Sequence, residues 1–214
     1  MSQPLFISFE GIDGSGKSTQ AKLLGIELRR LQYDVVEVRE PGGTQLGEDL
    51  RGIVLDSTRT VSPRTELLLF SAARSHLVDT VVKPALSRGA IVIADRFADS
   101  STAYQGGGRS LKELEWFETF NDFVVAGRQP DRTYFIDVTP QQAKSRRDEG
   151  TSDRIEKEDI PFYNRVRDAY LRLCDSSPDR TVRLDGAATA EAIRQNVLDD
   201  VLGLLSPNRI QPNK

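Results

Sequence analysis

Apolar and polar positions along the 214 residues alternate between two periods. Short β-rich runs fall at about 4–10, 34–39, 90–95, 132–138 and 181–184. Stretches with helical spacing separate them, at about 17–31, 45–56, 62–88, 110–126, 140–147, 158–176 and 189–205. That alternation predicts an α/β fold, a parallel sheet joined by crossover helices on both faces. The run from Ala90 to Ala94 is apolar throughout, as a strand covered on both faces must be, whereas Val35 to Val38 is interrupted by Glu37 and reads as nearer an edge. The central strands are therefore 4–10 and 90–95. Ser62-Pro63 opens the longest helix and Arg88-Gly89 closes it, Pro suiting a first turn and Gly a left-handed cap.

Composition narrows the class. Hydrophobic residues at 38% and charged ones at 29% suffice for one buried core, so a single domain is expected over 1–205. Residues 206–214 lack apolar period and read as a flexible tail. Twenty-nine Lys and Arg against 32 Asp and Glu leave a net charge of −3, which argues against nucleic acid as a partner because phosphate-backbone affinity needs a cationic excess. Cys174 and His76 are each the sole residue of their type, which excludes a disulfide framework, a thiolate zinc site and a multi-histidine metal site, and fits a reducing cytoplasm. The first ten residues lack a basic leader, and no apolar run approaches the length of about 20 that a membrane span needs, so no membrane partner is expected.

Gly11-Ile12-Asp13-Gly14-Ser15-Gly16-Lys17-Ser18 follows the first strand and opens a helix with Thr19, matching G-x-x-x-x-G-K-[ST] in its required context. Glycines let successive amides turn toward phosphate oxygens, the helix N-terminus adds partial positive charge, Lys17 reaches the β and γ phosphates, and Ser18 can ligate Mg²⁺. ATP or GTP with magnesium is the expected ligand. Asp95, at the tip of the buried strand, is the second metal candidate, its alternative being a helix cap or a partner for Arg96.

Phosphate loops also serve switches and motors. Asp49-Leu50-Arg51-Gly52 matches the D-x-x-G of a GTPase switch, but it lies on a helical pattern, and no N-K-x-D guanine reader is present. Arginines at Arg39, Arg51, Arg74, Arg96, Arg146, Arg147 and Arg154 favour a kinase whose acceptor already carries phosphate, since the guanidinium fork binds phosphate bidentately. Phe70 and Arg74, four apart on one helix, can offer a ring and a guanidinium to one flat base; if the pair stood alone, Phe70 would read first as plain core. Another nucleoside monophosphate or deoxynucleoside kinase, and a nucleotide-dependent binding module without acceptor turnover, stand as alternatives.

Four blocks then carry a resemblance across about 4–205: Phe9 to Thr19, Arg39-Glu40-Pro41-Gly42-Gly43, Asp95-Arg96-Phe97 leading into Asp99 to Arg109, and Pro130-Asp131 before the fourth strand. The chain resembles the bacterial thymidylate kinases. The resemblance implies a P-loop fold with five parallel strands in the order 2-3-1-4-5, the reaction ATP + dTMP → ADP + dTDP in dTTP synthesis, Mg²⁺ as cofactor and a homodimer. It places Asp13 near the acceptor sugar, Arg39, Glu40, Arg51 and Arg96 on the dTMP side, Phe70 on the thymine face and Arg74 on its carbonyl. Ser101 and Gln105 match contacts to base or phosphate, and Tyr104 a side chain that crowds a ribose 2′ position. The stretch 144–155 resembles a lid. In one subgroup an arginine follows the loop aspartate, but Gly14 stands there in this chain, so Arg154, ahead of Arg147 and Arg146, is the expected catalytic arginine. Lys17, Asp13 and Arg96 complete the catalytic set.

Overall fold

The computed structural model describes residues 4–111, 116–146 and 153–206. Its strands are β1 Leu5–Glu10, β2 Val35–Arg39, β3 Ile91–Asp95, β4 Arg132–Asp137 and β5 Thr181–Asp185. All pair in parallel, in the order β2-β3-β1-β4-β5. The mixed run at 35–39 is an edge strand, and β1 and β3 are internal. Helices α1 Lys17–Arg30 and α9 Ala190–Leu205 cover one face, where Leu24, Leu28, Val197 and Val201 pack on Ile7, Phe9, Ile93 and Ile136. The other face carries α3 Pro63–Leu77, α4 Lys83–Ser87 and α8 Ile160–Ser176, with Phe6 and Val92 beneath the first two and Phe135 beneath Tyr170 of α8. Helices α2 Gln45–Leu55, α5 Ala98–Ser101, α6 Phe117–Val125 and α7 Pro140–Arg146 complete the chain order. Among the described residues no helix is long and apolar enough to cross a membrane.

Three elements differ from the pattern. The helix expected over 62–88 is broken by a π-helical segment, Val78–Val82, between α3 and α4. Of the helix expected over 110–126, α6 covers Phe117–Val125; residues 112–115 lie outside the described residues, and Ser110 has φ 63°, outside the right-handed helical region. Finally, residues 98–108, which carry no helical signal, form α5 and a second π-helical segment, Thr102–Gly108. Of the lid expected at 144–155, residues 147–152, Arg147 included, lie outside the described residues, as do 207–214 of the expected tail.

A parallel sheet brings all its strand C-terminal ends to one edge. The phosphate loop follows β1, Glu40 follows β2, and Arg96 follows β3, with Phe9 and Arg39 both in register with Asp95. That edge holds the site.

Candidate active site

The chain leaves β1 through Gly11, Gly14 and Gly16, at φ 142°, 90° and 97°. Gly16 caps α1 without a side-chain bond, and the first turn has no acidic residue, so its amides and partial positive charge face an incoming anion. Lys17 is buried and its Nζ donates to Asp13 Oδ1 at 3.0 Å, while Ser18 and Thr19 are exposed on the first turn. A β-carbon on Gly14 would overlap the carbonyl of Ala143 in α7. The loop therefore has no room for the arginine that one subgroup carries there.

Arg96 meets Asp13 from the other side. Its backbone stands at φ 74°, with its amide donating to Phe9 O at 3.0 Å, and its guanidinium reaches Asp13 Oδ1 at 2.7 Å, Tyr104 Oη at 3.1 Å and Ser100 Oγ at 3.2 Å. It also lies 5.0 Å from the centre of the Tyr104 ring. Burial opposes ionisation of Asp13, but Arg96 and Lys17 outweigh it and hold the carboxyl well below the ordinary carboxylate range.

The strained turn at Arg96 is fastened by Glu10, which the sequence reading missed. Its carboxylate accepts from Phe97 N at 2.7 Å, Ser100 Oγ at 2.6 Å and Tyr170 Oη at 2.8 Å. Burial, reinforced by Asp99, pushes Glu10 up from 4.5 to about 7. Between those values the folded chain holds a proton that the unfolded chain has released, so this contribution to stability falls as pH rises through the window. Glu10→Gln is thus expected to gain stability relative to the wild type, by up to about 3 kcal/mol between roughly pH 4 and 8 in urea unfolding. A difference that does not change with pH would remove the assignment.

Nine of the ten side chains expected around the acceptor line one cleft: Asp13, Glu40, Arg51, Phe70, Arg74, Arg96, Ser101, Tyr104 and Gln105. Arg74 is fully buried, donating to Glu40 Oε2 at 2.6 Å, Ser101 Oγ at 2.7 Å and Phe97 O at 3.0 Å. Burial raises Glu40 against the pull of Arg74, and its Oε1 has no partner. Arg51 is fixed through Pro41 O at 3.0 Å. The tenth, Arg39, is turned away: it pairs with Glu48 at 3.0 Å and lines a separate recess of about 250 Å³ with Ser18 and Asp95. Both metal candidates thus share one recess, and Asp95 Oδ1 is buried there without a hydrogen-bond partner.

Arg154 is engaged elsewhere. Its Nε donates to Val54 O at 2.9 Å and its guanidinium pairs with Glu66 at 2.7 Å. Arg146 donates to Gly186 O at 3.0 Å in the loop after β5, and Gln20 of α1 donates to Ala190 O at 2.8 Å just beyond that loop. The stretch 185–189 therefore stands close to the helix that bears the phosphate loop.

A phosphate loop on β1, an anion-ready helix start and a second, aromatic cleft joined to it by Asp13, Lys17 and Arg96 define a P-loop phosphotransferase. A profile of the thymidylate kinase family matches residues 9–197. The thymidylate kinase of Caldanaerobacter subterraneus is 46% identical over 196 residues, covering 92% of this chain and 94% of that protein. That of Kosmotoga olearia is 47% identical over 199 residues, covering 92% and 95%. The crystal structure of thymidylate kinase from Ehrlichia chaffeensis superposes with a TM-score of 0.77 at 34% identity, covering 93% of this chain and 98% of that one. The chain belongs to the thymidylate kinase family.

Proposed function

We propose that the protein transfers the γ-phosphoryl group of ATP to dTMP, giving ADP and dTDP for dTTP synthesis. The observation that carries this reading is the junction of Asp13, Lys17 and Arg96, where a phosphate loop opens directly onto a cleft lined by Phe70 and Arg74. ATP phosphates lie in the loop from Gly11 to Thr19. The dTMP base stacks on Phe70 and receives a hydrogen bond from Arg74, its phosphate meets Arg51 and Arg96, and its sugar lies beside Asp13. Tyr104 closes the wall at the sugar and selects deoxyribose. A dTMP phosphate oxygen bonds to the γ-phosphorus as the bond to the ADP oxygen breaks. The protein's part is to align the two and to neutralise the spreading charge with Lys17 and Arg96. Arg154 joins them only if it leaves Glu66.

The residues fit Mg²⁺: Ser18 and Asp95 would hold it, as the unpartnered Asp95 oxygen supports. When bound, the ion screens the β and γ phosphate oxygens. We assign one kinase domain over 1–205 with a lid at 144–155, and a cytoplasmic location in keeping with the free, half-buried Cys174. A homodimer is supported by exposed apolar stripes. Five of the seven large hydrophobics exposed among the described residues, Leu46, Ile53, Leu68, Trp116 and Phe123, stand on or beside the packed helices α2, α3 and α6. Sedimentation equilibrium at twice the chain mass is expected.

The test is ADP release with ATP and magnesium against dTMP, dUMP, UMP, dCMP, AMP, GMP and thymidine. A strong preference for dTMP is expected. ADP release indifferent to the acceptor would overturn the reading.

A further inference from the structure

Helix α3 carries Glu66, Phe70 and Arg74 at four-residue spacing, hence on one face. Phe70 and Arg74 line the cleft; Glu66, one turn earlier, has no exposed surface and does not. We infer that Glu66 is a positioning residue that fixes which end of the Gln105 amide faces the cleft, and so makes the site read thymine or uracil rather than cytosine. This rests on the proposed function and adds a determinant of base choice to it.

Glu66 gathers donors from three parts of the chain. Gln105 Nε2 donates to its Oε1 at 2.8 Å, Arg109 reaches both oxygens at 3.2 and 3.0 Å, and Arg154 pairs with Oε2 at 2.7 Å. Burial opposes its ionisation, but the bonds from Arg109 and Gln105 prevail and hold the carboxyl below its ordinary value, so Glu66 is a carboxylate. A carboxylate only accepts hydrogen bonds, whereas a glutamine amide has one donating and one accepting end. With the NH₂ turned to Glu66, the carbonyl oxygen is what Gln105 has left for the cleft it lines.

Gln105 is 2% exposed, on the π-helical segment Thr102–Gly108, where β-carbons on Gly107 or Gly108 would crowd Ala169 or Phe162 of α8. The segment is thus pinned, and the side chain can turn over but not leave. Arg74 donates in any orientation, since a guanidinium has no acceptor. Between these two base-facing groups, Gln105 alone has a hand to set. Thymine and uracil present an O4 acceptor and an N3–H donor, which complement an arginine N–H and a glutamine C=O. Cytosine presents an amine and a bare N3, so donor would face donor and acceptor would face acceptor. A site built to hydrogen-bond one edge rejects the other because buried polar groups are left unpaired.

In Glu66→Gln the residue at 66 can donate as well as accept, and Gln105 is released to turn over. The whole enzyme with ATP and magnesium is expected to lose about 10- to 100-fold of its kcat/KM preference for dTMP over dCMP, with its preference between dTMP and dUMP unchanged, because those two share one edge. In a Gln105→Leu background the same change is expected to have no further effect on the dCMP ratio. Arg109→Gln removes another partner of Glu66 and is expected to lower Tm while sparing the ratio. A Glu66→Gln enzyme that keeps its full preference against dCMP, or loses all three acceptors in equal proportion, would overturn the inference. So would, in the ¹⁵N-labelled wild type, contacts from the Gln105 side-chain NH₂ protons to bound dTMP, a measurement that needs no variant to fold. A wild type with no preference for dTMP over dCMP would instead sink the substrate reading itself.

Discussion

Lys17→Ala is expected to lower kcat about a thousandfold and to leave the fold in place. The scale is that of removing one preorganised donor from a charge that develops in the transition state. Lys17 is the cation of the phosphate loop itself, buried at the start of α1, and its described partner is Asp13. Asp13 keeps Arg96 at 2.7 Å in the variant, so no buried charge is stranded and the melting temperature should move little. Coupled ADP release reads the first quantity and thermal unfolding the second. A variant with wild-type kcat would end the phosphate-loop assignment.

Arg74→Ala should do the opposite and damage the fold as well as the site. Its guanidinium is fully buried and joins Glu40 after β2, Ser101 of α5 and the Phe97 carbonyl, tying together three walls of the cleft. Removing one member of a buried ion pair costs about 3–5 kcal/mol, because the other is left uncompensated. At about 2–4 °C per kcal/mol for a chain of this size, Tm should fall by roughly 10 °C. The KM for dTMP should rise far more than that for ATP. Arg74→Lys keeps the charge but lacks the planar fork, so it should recover only part of either. A stability loss below about 1 kcal/mol would show that the buried pair does not hold the cleft together.

The sheet could be read from the sequence because its strands are short, apolar and bounded, and the phosphate loop because its geometry is encoded within eight consecutive residues, Gly11 to Ser18. Residues 98–108 could not be read as helical. Ser, Thr and three glycines there carry no period, and the segment is helical because α8 demands a backbone that it can approach closely. Arg39 shows another limit. Consecutive strand residues face opposite sides, so Arg39, level with Asp95, turns to the recess while Glu40 turns to Arg74. Glu10 and Glu66 escaped notice for a different reason: each is defined by partners far along the chain, Tyr170 for one and Arg154 for the other. Only the position of Glu66, one turn before Phe70, was a local signal.

The contact between Gly14 and α7 couples the phosphate loop to the segment that follows β4. Because any side chain at Gly14 would overlap the Ala143 carbonyl, an arginine cannot enter the loop until α7 has drawn back. Withdrawing α7 first would also shift Arg146 away from Gly186. A substitution at Gly14 is therefore never local: it must be absorbed by α7 and, through Arg146, by the loop after β5.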